Sequence, residues 1–158
     1  YDFHKPMIEI KHFIWETFSS HYLELVKNRA YNSDGKFTAG EQRGAVDTLN
    51  YCLDMILKIT APVLPFLTYK IYMELNGRDI HFEEFPVAGK VLKSKFVTED
   101  IVALNGAIWK AKQGAGLSLK SDVSEVVMPE MFKVVEKEIM LTHNVKKMGY
   151  GDDVKVTV

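Results

Sequence analysis

Between Lys27 and Arg43 the chain sets cations and amides beside aromatic rings: Lys27, Asn28, Arg29, Tyr31, Lys36, Phe37, Gln42 and Arg43. These residue types suit single-stranded RNA. Splayed-out bases stack on rings, lysine and arginine hold phosphates, and amides read base edges. A plainer reading stands beside this one, in which Lys27 and Arg29 merely complement the negative carboxyl end of a helix. On the residues alone the plainer reading is the commoner. Six further lysines, Lys90, Lys93, Lys95, Lys110, Lys112 and Lys120, suit either phosphate contact or a solvated surface. Other chemistry is poorly supported. His12 and His21 lie too far apart for a helical ligand pair, and the remaining histidines have no carboxylate or cysteine at metal spacing, so no metal site is expected. Asp152 and Asp153 follow Gly151 between alternating strands, which is an ordinary turn.

The elements that must carry these residues are mainly helical. From Phe3 onward, Phe3, Met7, Ile10, Ile14, Phe18 and Leu25 paint one stripe on a long helix that begins near Pro6 and ends at Asn32-Ser33-Asp34-Gly35. Thr38-x-x-Glu41 is a capping box opening a second helix, with the stripe Val46, Leu49, Leu53, Ile56 and Ile59, closed by Pro62 and Pro65. A third helix turns Phe66, Ile71 and Leu75 inward and stops at Asn76-Gly77. Ile80-His81-Phe82 reads as an extended tie. Trp15 and Trp109 sit beside apolar stripes and read as core residues rather than stacking platforms. Thr98-Glu99-Asp100 caps a fourth helix with the face Ile101, Leu104, Ile108 and Trp109. The tail reads as a strand from Val123 to Met128, a helix opened by Pro129, a strand from Asn144 to Tyr150, and a last strand from Val154 hairpinned onto it.

The expected fold is therefore mainly α, an antiparallel helical bundle followed by a small β-α-β-β module. The expected division is a helical domain at 1–86, a linker at 87–97 holding Gly89 and three lysines, and the small α/β module at 98–158. With 158 residues and 47% hydrophobic content the chain can bury one sizeable core or two small ones. Net charge is −1, split as −3 before Pro86 and +2 after it, so any RNA contact must use a local patch. The single cysteine, Cys52, excludes an internal disulfide and fits a reducing cytosol. No apolar run approaches the roughly 20 residues that cross a bilayer. The opening Tyr1, without an initiator Met, suggests a piece of a longer protein.

Four ordered blocks carry a resemblance. Phe13, Trp15, Phe18, Tyr22, Glu24, Lys27 and Arg29 stand in the pattern F-x-W-x-x-F-x-x-x-Y-x-E-x-x-K-x-R. The second block is Ala61-Pro62-Val63-Leu64-Pro65-Phe66-Leu67-Thr68, followed by Asp79-Ile80-His81 and Phe85-Pro86. The third runs from Leu104-Asn105-Gly106-Ala107-Ile108-Trp109-Lys110 into Gly116-Leu117-Ser118-Leu119-Lys120, and the fourth is Asn144-Val145-Lys146-Lys147. Together they resemble the helical anticodon-binding region of class I aminoacyl-tRNA synthetases for branched aliphatic amino acids, the valyl branch more than the isoleucyl or leucyl ones. The chain departs from the family pattern at Tyr69 and Lys70, where acids are usual, and at Phe85, where tryptophan is usual.

The resemblance implies that the eight residues from Lys27 to Arg43 lie where the anticodon of tRNA(Val) is held, and that the other partners are the remaining domains of the parent, with no DNA and no membrane. It implies a cytoplasmic parent that attaches valine to tRNA using ATP with magnesium. The H-I-G-H segment and K-M-S-K-S loop of that chemistry are absent from the sequence, as is an editing domain. The chain is therefore expected to hold no catalytic residue and no cofactor of its own, and to be inactive alone. The alternatives are the same region of an isoleucyl or leucyl enzyme, or a non-enzymatic helical protein-interaction domain. Uncovered apolar surface on the first helices is a further expectation.

Overall fold

A computed structural model describes residues 2–89 and 93–158. The chain forms two compact units: one comprises Tyr1–Lys36 together with Lys93–Val158, the other Phe37–Leu92. This grouping differs from the expected division at 1–86, 87–97 and 98–158. The reason lies in Leu25, which is 7% exposed and belongs to the same apolar core as Leu104, Ile108, Val123, Val126, Met128, Phe132, Ile139 and Val145. Burying those side chains together takes their apolar surface out of water and joins the first helix to the carboxy-terminal elements.

In the first unit one long helix runs through α1 (His4–His12), a π-helical stretch (Phe13–Leu23) and α2 (Glu24–Tyr31). Pro6 falls in its first turn, where a missing N–H costs nothing. The π stretch is wider than an α-helix, and Ser20 Oγ reaches back to the Trp15 carbonyl at 2.9 Å. Met7, Ile10, Ile14 and Phe18 of the expected stripe are half-buried, while Phe3, Phe13 and Trp15 are exposed, Trp15 by 69%, which corrects the reading of Trp15 as a core residue. Leu25 and Val26 are the buried members of this helix. Asn32 ends it in the left-handed conformation (φ 47°), which asparagine tolerates.

The rest of the first unit is α5 (Thr98–Gly114), β1 (Val123–Met128), a 3₁₀ turn (Glu130–Val135), α6 (Glu136–His143), β2 (Val145–Tyr150) and β3 (Lys155–Thr157). Val97, one residue earlier than expected, caps α5 and donates its N–H to Asp100 Oδ2 at 2.8 Å. The β-α-β-β order is as expected, with the strand order β2-β1-β3. The final pairing is not: β3 runs antiparallel to β1 instead of forming a hairpin with β2, which lies parallel to β1 on the other side. Gly151 explains the detour. Its N–H donates to the Met128 carbonyl at 3.1 Å, so the chain crosses over the end of β1 before turning back. A Cβ on Gly151 would stand 3.1 Å from Val127 Cγ1, too close for comfort at that crossing.

The second unit contains α3 (Ala39–Thr60), α4 (Pro65–Asn76) and a 3₁₀ turn at Ile80–Phe82. That turn replaces the expected extended tie, because Asp79 accepts from the His81 N–H at 2.9 Å and curls the chain. Its core is Leu57, Ala61, Tyr72 and Ile80, with Ile71 beside it. Of the residues expected to face inward from α4, Phe66 is 87% and Leu75 58% exposed; Thr68 and Tyr72 take that side instead. Val46 and Leu53 of the expected α3 stripe are likewise exposed, and Ala45, Leu57 and Thr60 are buried. Glu83 ties the turn back to α3 through Lys58 at 3.5 Å, and also meets Arg78 at 3.1 Å.

The capping box at the start of α3 is present. Glu41 N–H donates to Thr38 Oγ1 at 3.2 Å and Thr38 N–H to Glu41 Oε2 at 2.7 Å. Thr38→Ala removes one of these bonds from an exposed helix start, and is expected to destabilise the second unit by about 1 kcal/mol in urea unfolding. Thr38→Ser should restore most of it.

Candidate nucleic-acid interface

Five of the eight sequence-derived residues belong to the first unit. Lys27 pairs with Glu24 one turn earlier, both side chains more than 40% exposed. Asn28 is half-buried and donates from Nδ2 to Thr142 Oγ1 at 3.5 Å. Arg29 Nη1 meets Glu138 Oε1 at 2.8 Å, and that carboxylate is only 7% exposed. Tyr31, the last residue of α2, is 77% exposed. Lys36 lies beyond the turn, over half exposed, 3.4 Å from Asp34. This segment thus sorts into an exposed set, Lys27, Tyr31 and Lys36, and an inward set, Asn28 and Arg29.

The other three belong to the second unit. Phe37 is 6% exposed and so offers little ring face to a base. Gln42 is half-buried in the first turns of α3. Arg43 is 83% exposed, with Nε 3.7 Å from Asp47 one turn later. A pair so exposed and so long constrains the guanidinium weakly, and leaves it available to a phosphate.

Among the six lysines considered for phosphate contact, Lys112 is removed by its burial. It is fully enclosed, and its Nζ donates to the Leu119 carbonyl at 2.8 Å and the His143 carbonyl at 2.9 Å. Lys93, Lys95, Lys110 and Lys120 are exposed, and Lys90 lies outside the described residues.

Lys112 belongs to a buried polar chain that the sequence reading missed. His143 Nε2 and Asn105 Oδ1 are 2.9 Å apart, and Asn105 Nδ2 stands 3.3 Å from His21 Nδ1. Trp109, read as a core residue, is half-buried; it packs its ring 5.0 Å from His21 and edge-on to His143 at 6.0 Å. Burial and the neighbouring Lys112 charge push the His143 imidazole down to about 4, so it is neutral at pH 7. Burial also lowers His21, against the opposing charge of Glu16. In the sequence the only trace of this chain is Asn105 within an otherwise apolar helical face. A polar residue there signals a buried partner.

Among the described residues no group of three or more His, Cys, Asp or Glu side chains has the arrangement of a metal site, and no helix is long and apolar enough to cross a membrane.

Comparison with known proteins gives the arrangement a context. Residues 1–127 match the family described as the anticodon-binding domain of tRNA ligase. The sequence is 36% identical to a valine–tRNA ligase of Pyrobaculum aerophilum over 154 residues, 96% of this chain and 19% of that protein. It is 33% identical to one of Aeropyrum pernix over 155 residues, 90% of this chain and 18% of that protein. A third, from Ehrlichia ruminantium, is 34% identical over 124 residues, 75% of this chain and 15% of that protein. The chain thus spans less than a fifth of the length of these relatives.

Proposed function

Because the chain belongs to the family of anticodon-binding domains of tRNA ligases, we propose that it holds the anticodon arm of tRNA(Val) as one region of a valine–tRNA ligase. The parent attaches valine to its tRNA, using ATP and magnesium bound in domains that this chain does not include, and does so in the cytoplasm. Among the described residues no cluster of side chains has the arrangement of a metal site, and we assign the chain no step of that chemistry. Its part is to orient the tRNA and help select it. An isoleucyl or leucyl parent is the weaker reading, since the relatives named above are valine–tRNA ligases.

The observation that supports this reading most is Tyr31. A tyrosine 77% exposed at a helix end, five residues before the exposed Lys36, offers a ring on which a base can stack near a cation. Lys27, Lys36 and Arg43 supply charge for phosphates, and Gln42 an amide for a base edge. In the first unit Asn28 and Arg29 are turned inward, and in the second Phe37 is buried, so these three serve the binding role from within their own units.

Arg43→Ala and Lys27→Ala test the charged part. Each is expected to weaken binding of a tRNA transcript by roughly three- to tenfold, and to flatten the salt dependence of log Kd by about one unit, as loss of one phosphate contact does. Melting temperatures should stay put, since both ion pairs are exposed and contribute little. Unchanged affinity, or a loss that tracks unfolding, would favour a purely structural role for these residues.

A further inference from the structure

Helix α6 touches the segment from Glu24 to Lys36 at three levels. At its far end Thr142 Oγ1 donates to the Glu24 carbonyl at 3.2 Å and accepts from Asn28 Nδ2. One turn back, Glu138 holds Arg29. At the near end Lys137 Nζ donates a long bond, 3.5 Å, to the Lys36 carbonyl. Glu138 and Thr142 are four residues apart and so share one helix face. Arg29 is turned toward that face: its Nε is shut off from solvent and has no hydrogen-bond partner. Glu138, 5% exposed as a whole residue, cannot reach an RNA backbone, and a carboxylate would repel one.

From this geometry we infer that α6 is the support on which the RNA-facing segment is laid. Glu138 and Thr142 are positioning residues for tRNA binding, acting through Arg29, Asn28 and the backbone at Glu24. Arg29 is held by Glu138 rather than committed to a phosphate. The match to the anticodon-binding family ends at residue 127, so this support comes from a part of the chain beyond the matched domain. The inference rests on the tRNA-binding reading above.

Glu138→Gln tests it with an informative sign. Removing a negative charge should tighten RNA binding if only the overall field matters. The support account expects the reverse: Kd for a valine tRNA transcript rises roughly five- to twentyfold, while the salt slope stays at the wild-type value because no phosphate contact is lost. Thr142→Val, which keeps the side-chain shape and removes the hydroxyl, should raise Kd in the same direction by a smaller factor. It serves as the second variant if Glu138→Gln does not fold. Titration to saturation separates positioning from mere stability. A positioning residue changes Kd at full binding stoichiometry, whereas a merely structural one lowers the fraction of chain that binds. Unchanged or tighter Kd at full stoichiometry, or a loss confined to the active fraction, overturns the inference alone. Failure of the wild-type chain to bind the transcript overturns the tRNA-binding reading and the inference with it.

Discussion

Lys112→Ala is expected to destabilise the first unit by about 3–5 kcal/mol, enough to unfold much of a marginal domain. Two effects add. The two carbonyls served by Nζ, those of Leu119 and His143, lose their donor inside the protein, at about 1–3 kcal/mol each. The four-carbon stem of a fully enclosed side chain leaves a cavity, which for side chains of that length costs about 2–5 kcal/mol. One effect opposes them: a charge no longer has to be kept out of water, and burial already lowers the Lys112 pKa. That relief is partial, because the His143 carbonyl lies at the carboxyl end of α6, where a cation is favoured. Lys112→Met isolates the polar part by keeping the stem, and should cost about 2 kcal/mol. Urea unfolding followed by tryptophan fluorescence reads both, since Trp109 packs against His143. A Met variant as stable as wild type would mean that the carbonyls find other donors.

The second large effect is a loss of stability in mild acid. His143 titrates near 6.5 when unfolded and at about 4 when folded. Between those values the unfolded chain takes up a proton that the folded chain refuses, so stability falls as pH falls. The contribution is complete above about pH 6.5 and lost progressively as pH drops toward 4. A separation of that size corresponds to about 3 kcal/mol. His21, also lowered by burial, acts in the same direction. Unfolding midpoints in urea should therefore drop steeply between pH 6.5 and 4.5, and the drop should shrink in His143→Gln. A midpoint independent of pH over that interval would contradict the buried neutral imidazole.

What the sequence made legible follows from how local each signal is. The capping box at Thr38 and the stop at Gly77 involve residues within one turn of each other, and both were readable. Val123–Met128 is a strand as expected, since six residues rich in valine between a serine-rich loop and a proline have few alternatives. The partner of β3 was not readable. Alternation marks Lys155–Thr157 as a strand but says nothing of which edge it joins, and the crossing at Gly151 decides that. On α4 nearly every position from Leu64 to Tyr72 apart from Thr68 and Lys70 is apolar or aromatic, so periodicity could not choose a face, and Thr68 and Tyr72 won it. On the first helix the stripe was legible, since Met7, Ile10, Ile14 and Phe18 are half-buried and Leu25 is buried, but the π-helical turn from Phe13 to Leu23 was not, because no local pattern announces it.

For the candidate interface residues, the sequence carried their types but not their surroundings. Tyr31, Lys36 and Arg43 carry exposed groups where residue types alone placed them. Arg29 has the same chemistry as Arg43, yet its guanidinium meets a carboxylate more than a hundred residues downstream. No local pattern announces such a pairing. Lys112 makes the same point, since a lysine among surface lysines in sequence is an enclosed donor in the fold.

The most direct test is the affinity of the chain for a valine tRNA transcript set against the same transcript with its anticodon altered, measured by filter binding at fixed salt. Contact with the anticodon predicts that the altered transcript binds at least about tenfold more weakly, the cost of one or two lost base contacts. Equal affinity for the two would contradict anticodon recognition by this chain.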